Sequence, residues 1–255
     1  MNQHILGSSL VDPPVRNLEW FARHRFGTIR AASFVAGLAP AAWLAAEWLT
    51  GSLGVNPLNR LLHFTGISAL VMLLVTLSVT PARRLSIRVS QICRVRFGKR
   101  VSDWNWLIRL RRQLGLFAFF YAVLHLGMYV LLDAGPDILA ISTDAIERPF
   151  ILLGFASFLL LVPLAATSNA FAIRRLGRNW RKLHALSYLI AILVIAHYWL
   201  QMKVGNQAYL PYALALVLLY TARIFAWFKG DRTMASETAE RHGNRSGIRD
   251  RKALR

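Results

Sequence analysis

Six apolar runs, each about as long as a helix that crosses a bilayer, constrain this chain more than any motif does. They lie at about 31–49, 61–79, 113–132, 150–167, 183–202 and 210–228. A helix needs ~20 apolar residues to cross a hydrocarbon core ~30 Å thick. In lipid the backbone must satisfy its own polar groups, which an α-helix does within one segment. Mean hydropathy is +0.40 and 55% of the 255 residues are hydrophobic, yet the formal charge is +19. Charge and apolarity must therefore be segregated along the chain. These features predict an all-α membrane protein, a six-transmembrane-helix bundle. Thr80-Pro81 is expected to stop the second span, and Pro163 to kink the fourth.

The distribution of cations sets the expected topology. Four lie in the lead-in 1–30, ten between Arg83 and Arg112, five between Arg174 and Lys182, and nine from Arg223 onward. With six spans all four segments fall on one side. Only Arg60, Arg148 and Lys203 lie opposite, beside Glu47, Asp133, Asp137, Asp144 and Glu147. Excess Lys and Arg mark cytoplasmic loops, so both termini are expected in the cytoplasm. The division is then a cytoplasmic segment 1–30, a transmembrane domain 31–228 and a basic, disordered tail 229–255.

Several functions are disfavoured at once. The basic balance is explained by membrane topology, so nucleic acid is not an expected partner. Cys93 is the single cysteine, which leaves no intrachain disulfide, Cys-ligated zinc or iron–sulfur cluster. No glycine-rich nucleotide-binding motif occurs. The N-terminus lacks the apolar core and cleavage site of a signal peptide, so the first run acts as the signal anchor.

The chemistry-bearing residues are histidines. His4, His24 and His242 fall in hydrophilic ends and are expected to be solvated. His63, His125, His184 and His197 fall on the spans, where a titratable side chain is a functional candidate by default. His125 is about twelve residues past the cytoplasmic boundary of span three and His197 about fourteen past that of span five. Both helices run outward, so the two imidazoles share one depth. Two neutral imidazoles facing across a gap can ligate one haem iron axially, which suits electron transfer.

His184 differs. Thirteen residues separate it from His197, roughly 20 Å along a helix and 3.6 turns, so the pair does not share one face. Its counterpart depth on span three is Arg111–Gln113, without a histidine. Arg111, Arg112, Arg174, Arg175, Arg178, Arg181, Lys182 and Arg223 read first as topology signals. Their sharper reading is a clamp for haem propionates or a flavin phosphate, since guanidinium groups match such anions.

Taken in order, these residues resemble the MsrQ (YedZ) family, the haem-binding membrane subunits of periplasmic protein-methionine-sulfoxide reductase systems, within the ferric-reductase-like transmembrane group. The resembling pieces are His63-Phe64-Thr65-Gly66, Thr80-Pro81, Arg111-Arg112-Gln113-Leu114-Gly115-Leu116 leading to His125-Leu126, Arg148-Pro149-Phe150, Thr167-Ser168, and Leu176-Gly177 through Trp180 and Leu183-His184 to His197-Tyr198. They cover about 35–228. The long 82–110 segment and the basic tail depart from the pattern. The resemblance implies haem b, one or two, held through His125, His184 and His197, with His63 as a further haem or quinone position. It also implies a bacterial inner-membrane location and electrons drawn from the quinone pool or from a cytoplasmic flavin reductase with FMN. The acceptor would be a periplasmic molybdopterin subunit that reduces methionine sulfoxide during repair of oxidised proteins.

Two other functions compete. A self-contained ferric or oxygen reductase needs a flavin and nicotinamide domain, and the 27 residues after Phe228 fall far below the ~100 of a domain. A haem-free transporter with a histidine relay would need carboxylates among its spans, and only Glu47 comes close.

Overall fold

The structure, a computed structural model, describes residues 14–93, 104–135, 137–203 and 205–228. Outside these residues lie the expectations for His4, His242, the first part of the lead-in, the middle of the basic segment and the tail 229–255. The described residues form helices and no strand, and six of the helices are long and apolar enough to cross a membrane.

The first helix, α1 (Pro14–Leu49), belongs to a unit of its own that ends at Ser52. Its stretch Gly27–Leu49 has the length and apolarity of a span. The apolar run begins at about residue 31. Helix instead begins at Pro14, because proline suits a first turn and no further proline follows until Pro40. Glu47, at the end of the first span, is satisfied locally, since Trp43 Nε1 donates to Glu47 Oε1 at 2.9 Å. Thr50 Oγ1 caps the last turn through Ala46 O at 2.8 Å, and Gly51, at φ +67°, turns the chain away.

The second unit begins at Leu53. Its longest helix is α2 (Pro57–Ile92), started by Asn56, whose side chain accepts from Asn59 N at 3.1 Å. The expected stop at Thr80-Pro81 does not occur, and the helix runs on for eleven residues beyond Pro81. A helix-interior proline removes its own N–H and leaves the carbonyl four residues earlier without its partner. That carbonyl is Leu77 O, on a residue with no exposed surface. Arg223 Nη2, 146 residues away, donates to it at 2.9 Å. A neighbouring helix thus repairs the break, as membrane helices with proline require.

Next come α3 (Asn105–Met128), a π-helical turn at Tyr129–Asp133, and α4 (Ile138–Glu147). The chain continues with α5 (Pro149–Ala166), α6 (Ala170–Leu176), α7 (Arg178–Gln201) and α8 (Leu210–Phe228). The short α4 and α6 were not expected. Each has a capping side chain that a hydropathy reading passes over: Asp137 accepts from Leu139 N at 2.8 Å, and Asn169 from Ala172 N at 2.7 Å. α3 and α7 also begin earlier than hydropathy suggests, inside basic segments.

Packing joins α2 closely to α3 and α5 closely to α7, with lesser contacts of α3 with α5 and α2 with α7. Leu70, Leu74 and Leu77 of α2, Ala118 of α3, Leu164 of α5, Ile190 and Ala191 of α7 and Leu216 of α8 form one buried cluster. Leu152, Leu159, Leu189, Ile192, Leu214 and Val217 point outward, the surface a helix presents to lipid rather than water.

Candidate functional site

A cavity of about 390 Å³ opens between α2, α3, α5 and α7. Its walls are apolar and aromatic, among them Leu70, Leu73, Ala122, Phe155, Phe158 and Val194, and three histidines line it: His63, His125 and His197. Size and lining suit a small organic ligand.

His125 and His197 meet across this space with ring centroids 6.2 Å apart and planes at 84°. Each ring is held in the same way by the helix beside it. His125 Nδ1 is 2.9 Å from Leu62 O of α2, with Thr65 Oγ1 at 3.4 Å, and His197 Nδ1 is 2.5 Å from Phe150 O of α5. These carbonyl contacts assign Nδ1 as the protonated nitrogen. Nε2 of each ring is then the free lone pair, with no hydrogen-bond partner among the described residues.

Each cradle contains a glycine four residues after its carbonyl. A Cβ on Gly66 would come within 3.1 Å of His125 Cε1, and one on Gly154 within 3.1 Å of His197 Cε1. Any larger residue would push the imidazole out of place. In a helix interior glycine costs roughly 0.5–1 kcal/mol relative to alanine. Here that cost makes room for a ring. Each glycine is followed two residues later by a pair of small residues, Ser68-Ala69 and Ala156-Ser157, a pattern that hydropathy does not register.

An oriented imidazole with Nδ1 on a backbone carbonyl and a free Nε2 is the arrangement of a metal ligand with its supporting partner. Among the described residues no group of three or more His, Cys, Asp or Glu could hold a metal ion. Two imidazoles alone suit a metal that brings its own equatorial ligands. Their separation agrees: two axial bonds of about 2 Å, plus ~1 Å from each nitrogen to its ring centre, span roughly 6 Å. The flat apolar walls suit the rest of such a macrocycle.

His63 lines the same cavity from α2, but it is exposed and lies 6.0 Å from the Tyr198 ring rather than in a cradle. His184 does not line it. Its ring stacks on Trp180 with centroids 4.0 Å apart, and its Nε2 is 3.1 Å from Thr167 Oγ1. Trp180 Nε1 in turn donates to Thr167 O at 3.0 Å, closing a small network between α7 and the end of α5. Arg111, Arg112, Arg174, Arg175, Arg178 and Arg181 are likewise absent from the lining. Arg223 is engaged through Leu77 O and the Tyr188 hydroxyl, with its guanidinium 4.7 Å over the Tyr188 ring. The cation that does line the cavity is Arg148, a residue marked in the sequence as one of three outer cations and as part of a short Arg-Pro-Phe piece.

Residues 65–195 match the family described as ferric reductase like transmembrane component, a stretch that includes His125 and both cradle glycines and ends two residues before His197. Relatives at higher similarity narrow the placement. The chain is 41% identical over 212 residues to the protein-methionine-sulfoxide reductase haem-binding subunit MsrQ of Herminiimonas arsenicoxydans, covering 81% of this chain and 89% of that one. It is 41% identical over 208 residues to the MsrQ of Bordetella pertussis, covering 80% and 92%. The MsrQ of Xanthomonas campestris pv. campestris is 40% identical over 216 residues, covering 82% and 92%. The chain belongs to the MsrQ family of ferric-reductase-like transmembrane proteins.

Proposed function

We propose that this protein is the haem-binding, electron-carrying membrane subunit of a protein-methionine-sulfoxide reductase system. The observation that carries this reading is the matched pair of cradled imidazoles, His125 and His197, facing one apolar cavity with their Nε2 atoms free. The names of the MsrQ relatives support the same cofactor and the same reductase.

In this reading His125 and His197 would hold the iron of a b-type haem, one imidazole from each side. The bound haem supplies a one-electron iron couple, and every other part is the protein's own. The carbonyls of Leu62 and Phe150 keep the imidazoles in the Nδ1–H tautomer and make Nε2 a better donor. Gly66 and Gly154 let the rings sit against α2 and α5. Phe155, Phe158, Leu70 and Leu73 keep water from the faces of the site. With an imidazole on each side, the iron would have no open position for a substrate to ligate, which suits passing single electrons on.

The outer end of the bundle, near His197, faces the periplasm of a bacterial inner membrane, and both termini lie in the cytoplasm. This orientation is supported by the segregation of Lys and Arg. Electrons enter from the quinone pool or from a cytoplasmic flavin reductase with FMN, and leave to a periplasmic molybdopterin subunit. His184 stands on the entry side with its Nε2 on Thr167 and its ring on Trp180, an incomplete site without a partner histidine among the described residues, and the reading rests on the His125–His197 pair alone.

The test is a reduced-minus-oxidised spectrum with haem quantitation on the wild type and on His63→Ala, His125→Ala, His184→Ala and His197→Ala. Low-spin haem in the wild type, lost in His125→Ala and in His197→Ala, is the expected outcome. A wild type without a Soret band ends the proposal. Full haem retention in both cradle variants rejects the ligand pair.

A further inference from the structure

One short segment at the mouth of the cavity does more than orient His197. Arg148 ends α4 and caps the start of α5, with φ −118° and ψ 94°. That extended conformation is the one favoured for a residue before proline, here Pro149. Two residues later Phe150 O receives His197 Nδ1, and four after that Gly154 accommodates the ring. The guanidinium, the carbonyl and the glycine are therefore delivered by seven consecutive residues on one rigid helix start.

The Arg148 side chain is 54% exposed, as suits the rim of a cavity rather than its floor. Asp144 Oδ1 lies 3.6 Å from Arg148 Nε, while Asp144 Oδ2 accepts from the Tyr129 hydroxyl at 3.0 Å. The carboxylate is thus shared between a hydroxyl on the π-helical turn and the Nε edge of the guanidinium. The two terminal nitrogens are left as donors, in the forked geometry that matches a carboxylate. Asp133 also lines the mouth and repels an anion there, so a carboxylate is accepted only on the Arg148 side.

We propose that Arg148 binds a propionate of the haem in the His125–His197 cavity, and that Asp144, held by Tyr129, is its positioning residue. The inference rests on the haem reading above. It assigns the carboxylate subsite to the outer mouth, not to the basic residues around His184. A porphyrin with free carboxylates would thereby be preferred over the same porphyrin without them.

The test uses the purified wild-type haem protein, Arg148→Gln, Arg148→Lys and Asp144→Asn. The readouts are the rate of haem loss to an excess of a haem-scavenging protein and the midpoint potential. Losing a charge-assisted pair predicts roughly ten-fold or faster haem release from Arg148→Gln, a potential shifted downward, and partial recovery of both in Arg148→Lys. Asp144→Asn speeds haem release in the same direction by less, while its own lost negative charge opposes the downward shift in potential, so the release rate is the readout for this variant. A parallel arm needs no substitution: wild type loaded with haem dimethyl ester should release it roughly ten-fold faster than haem, and Arg148→Gln should not distinguish the two. If Arg148→Gln does not fold, the wild-type ester comparison decides alone. Equal retention of haem and its ester by the wild type overturns the propionate assignment while leaving the haem reading intact. A wild type that holds neither porphyrin overturns the haem reading itself.

Discussion

The two ends of α7 hold histidines in opposite ways. His197 is gripped at Nδ1 by a carbonyl of α5, packed against a glycine and left with a free Nε2 toward a cavity. His184 has its Nε2 on Thr167 and its ring face on Trp180. The first is a side chain prepared to bind something, and its mirror on α2 and α3 does the same for His125. The second is engaged with its own protein, beside a cationic region where Arg84 and Arg111 are electrostatic neighbours of Arg223. Residue type alone does not separate these cases. The nitrogen taken by the protein does.

This contrast is open to attack, and the ligands themselves should give the largest effect. His125→Ala and His197→Ala should each lower haem affinity by more than the roughly 10–100-fold that loss of an orienting partner costs. Haem quantitation on purified protein checks this, and His184→Ala should keep at least one haem per chain. An empty His184→Ala protein would break the comparison.

Next in size are the cradle glycines. Gly66→Ala and Gly154→Ala bring a Cβ to 3.1 Å from an imidazole carbon, so haem retention should fall by roughly ten-fold as the rings shift. Gly115→Ala is the control, because its Cβ would meet only Thr76 Cγ2 at 3.7 Å. All three substitutions favour the helix by roughly 0.5–1 kcal/mol where no clash opposes it. A cradle variant whose haem and stability both hold would show that the glycines do not shape the site.

The inner end should respond in stability rather than in haem. Arg223→Leu leaves the buried Leu77 carbonyl without its partner, a cost of about 1–3 kcal/mol, read by thermal unfolding in detergent. In a Pro81→Ala background the restored backbone N–H can reach Leu77 O, so the same substitution should cost less. Equal costs in both backgrounds would show that Arg223 does not repair the proline break. The smallest effect belongs to His184→Ala, which removes one hydrogen bond to Thr167, worth about 1 kcal/mol.

Much of this was legible beforehand, for reasons that differ by element. The span at 210–228 matches α8 because bilayer length and hydropathy are local sums over one stretch. The second span does not match, since Thr80-Pro81 reads as a stop until Arg223 reaches Leu77 from 146 residues away. The equal depth of His125 and His197 was readable by counting from the span boundaries. Their separation from His184 was half-readable, as the thirteen-residue spacing already turns the two rings to different faces. Arg148 was readable only as one of three cations on the outer side and as part of Arg-Pro-Phe, because nothing in its own stretch shows which cavity it lines. Asp144 is its neighbour one helical turn back, but Tyr129 meets that carboxylate only when α4 folds back.

By itself the sequence determined how many helices can enter a membrane, where the cations gather, and which four histidines fall within spans. Each of these depends on the transfer of a short stretch between water and lipid, which is set by that stretch's own composition. Only the tertiary structure decided which histidine nitrogen is free, which carbonyl a guanidinium completes, and which glycine stands against which ring. Those facts depend on the rotation and register of one helix against another. Packing sets both, and a shift of about 1.5 Å along either helix, one residue's rise, would reassign every partner.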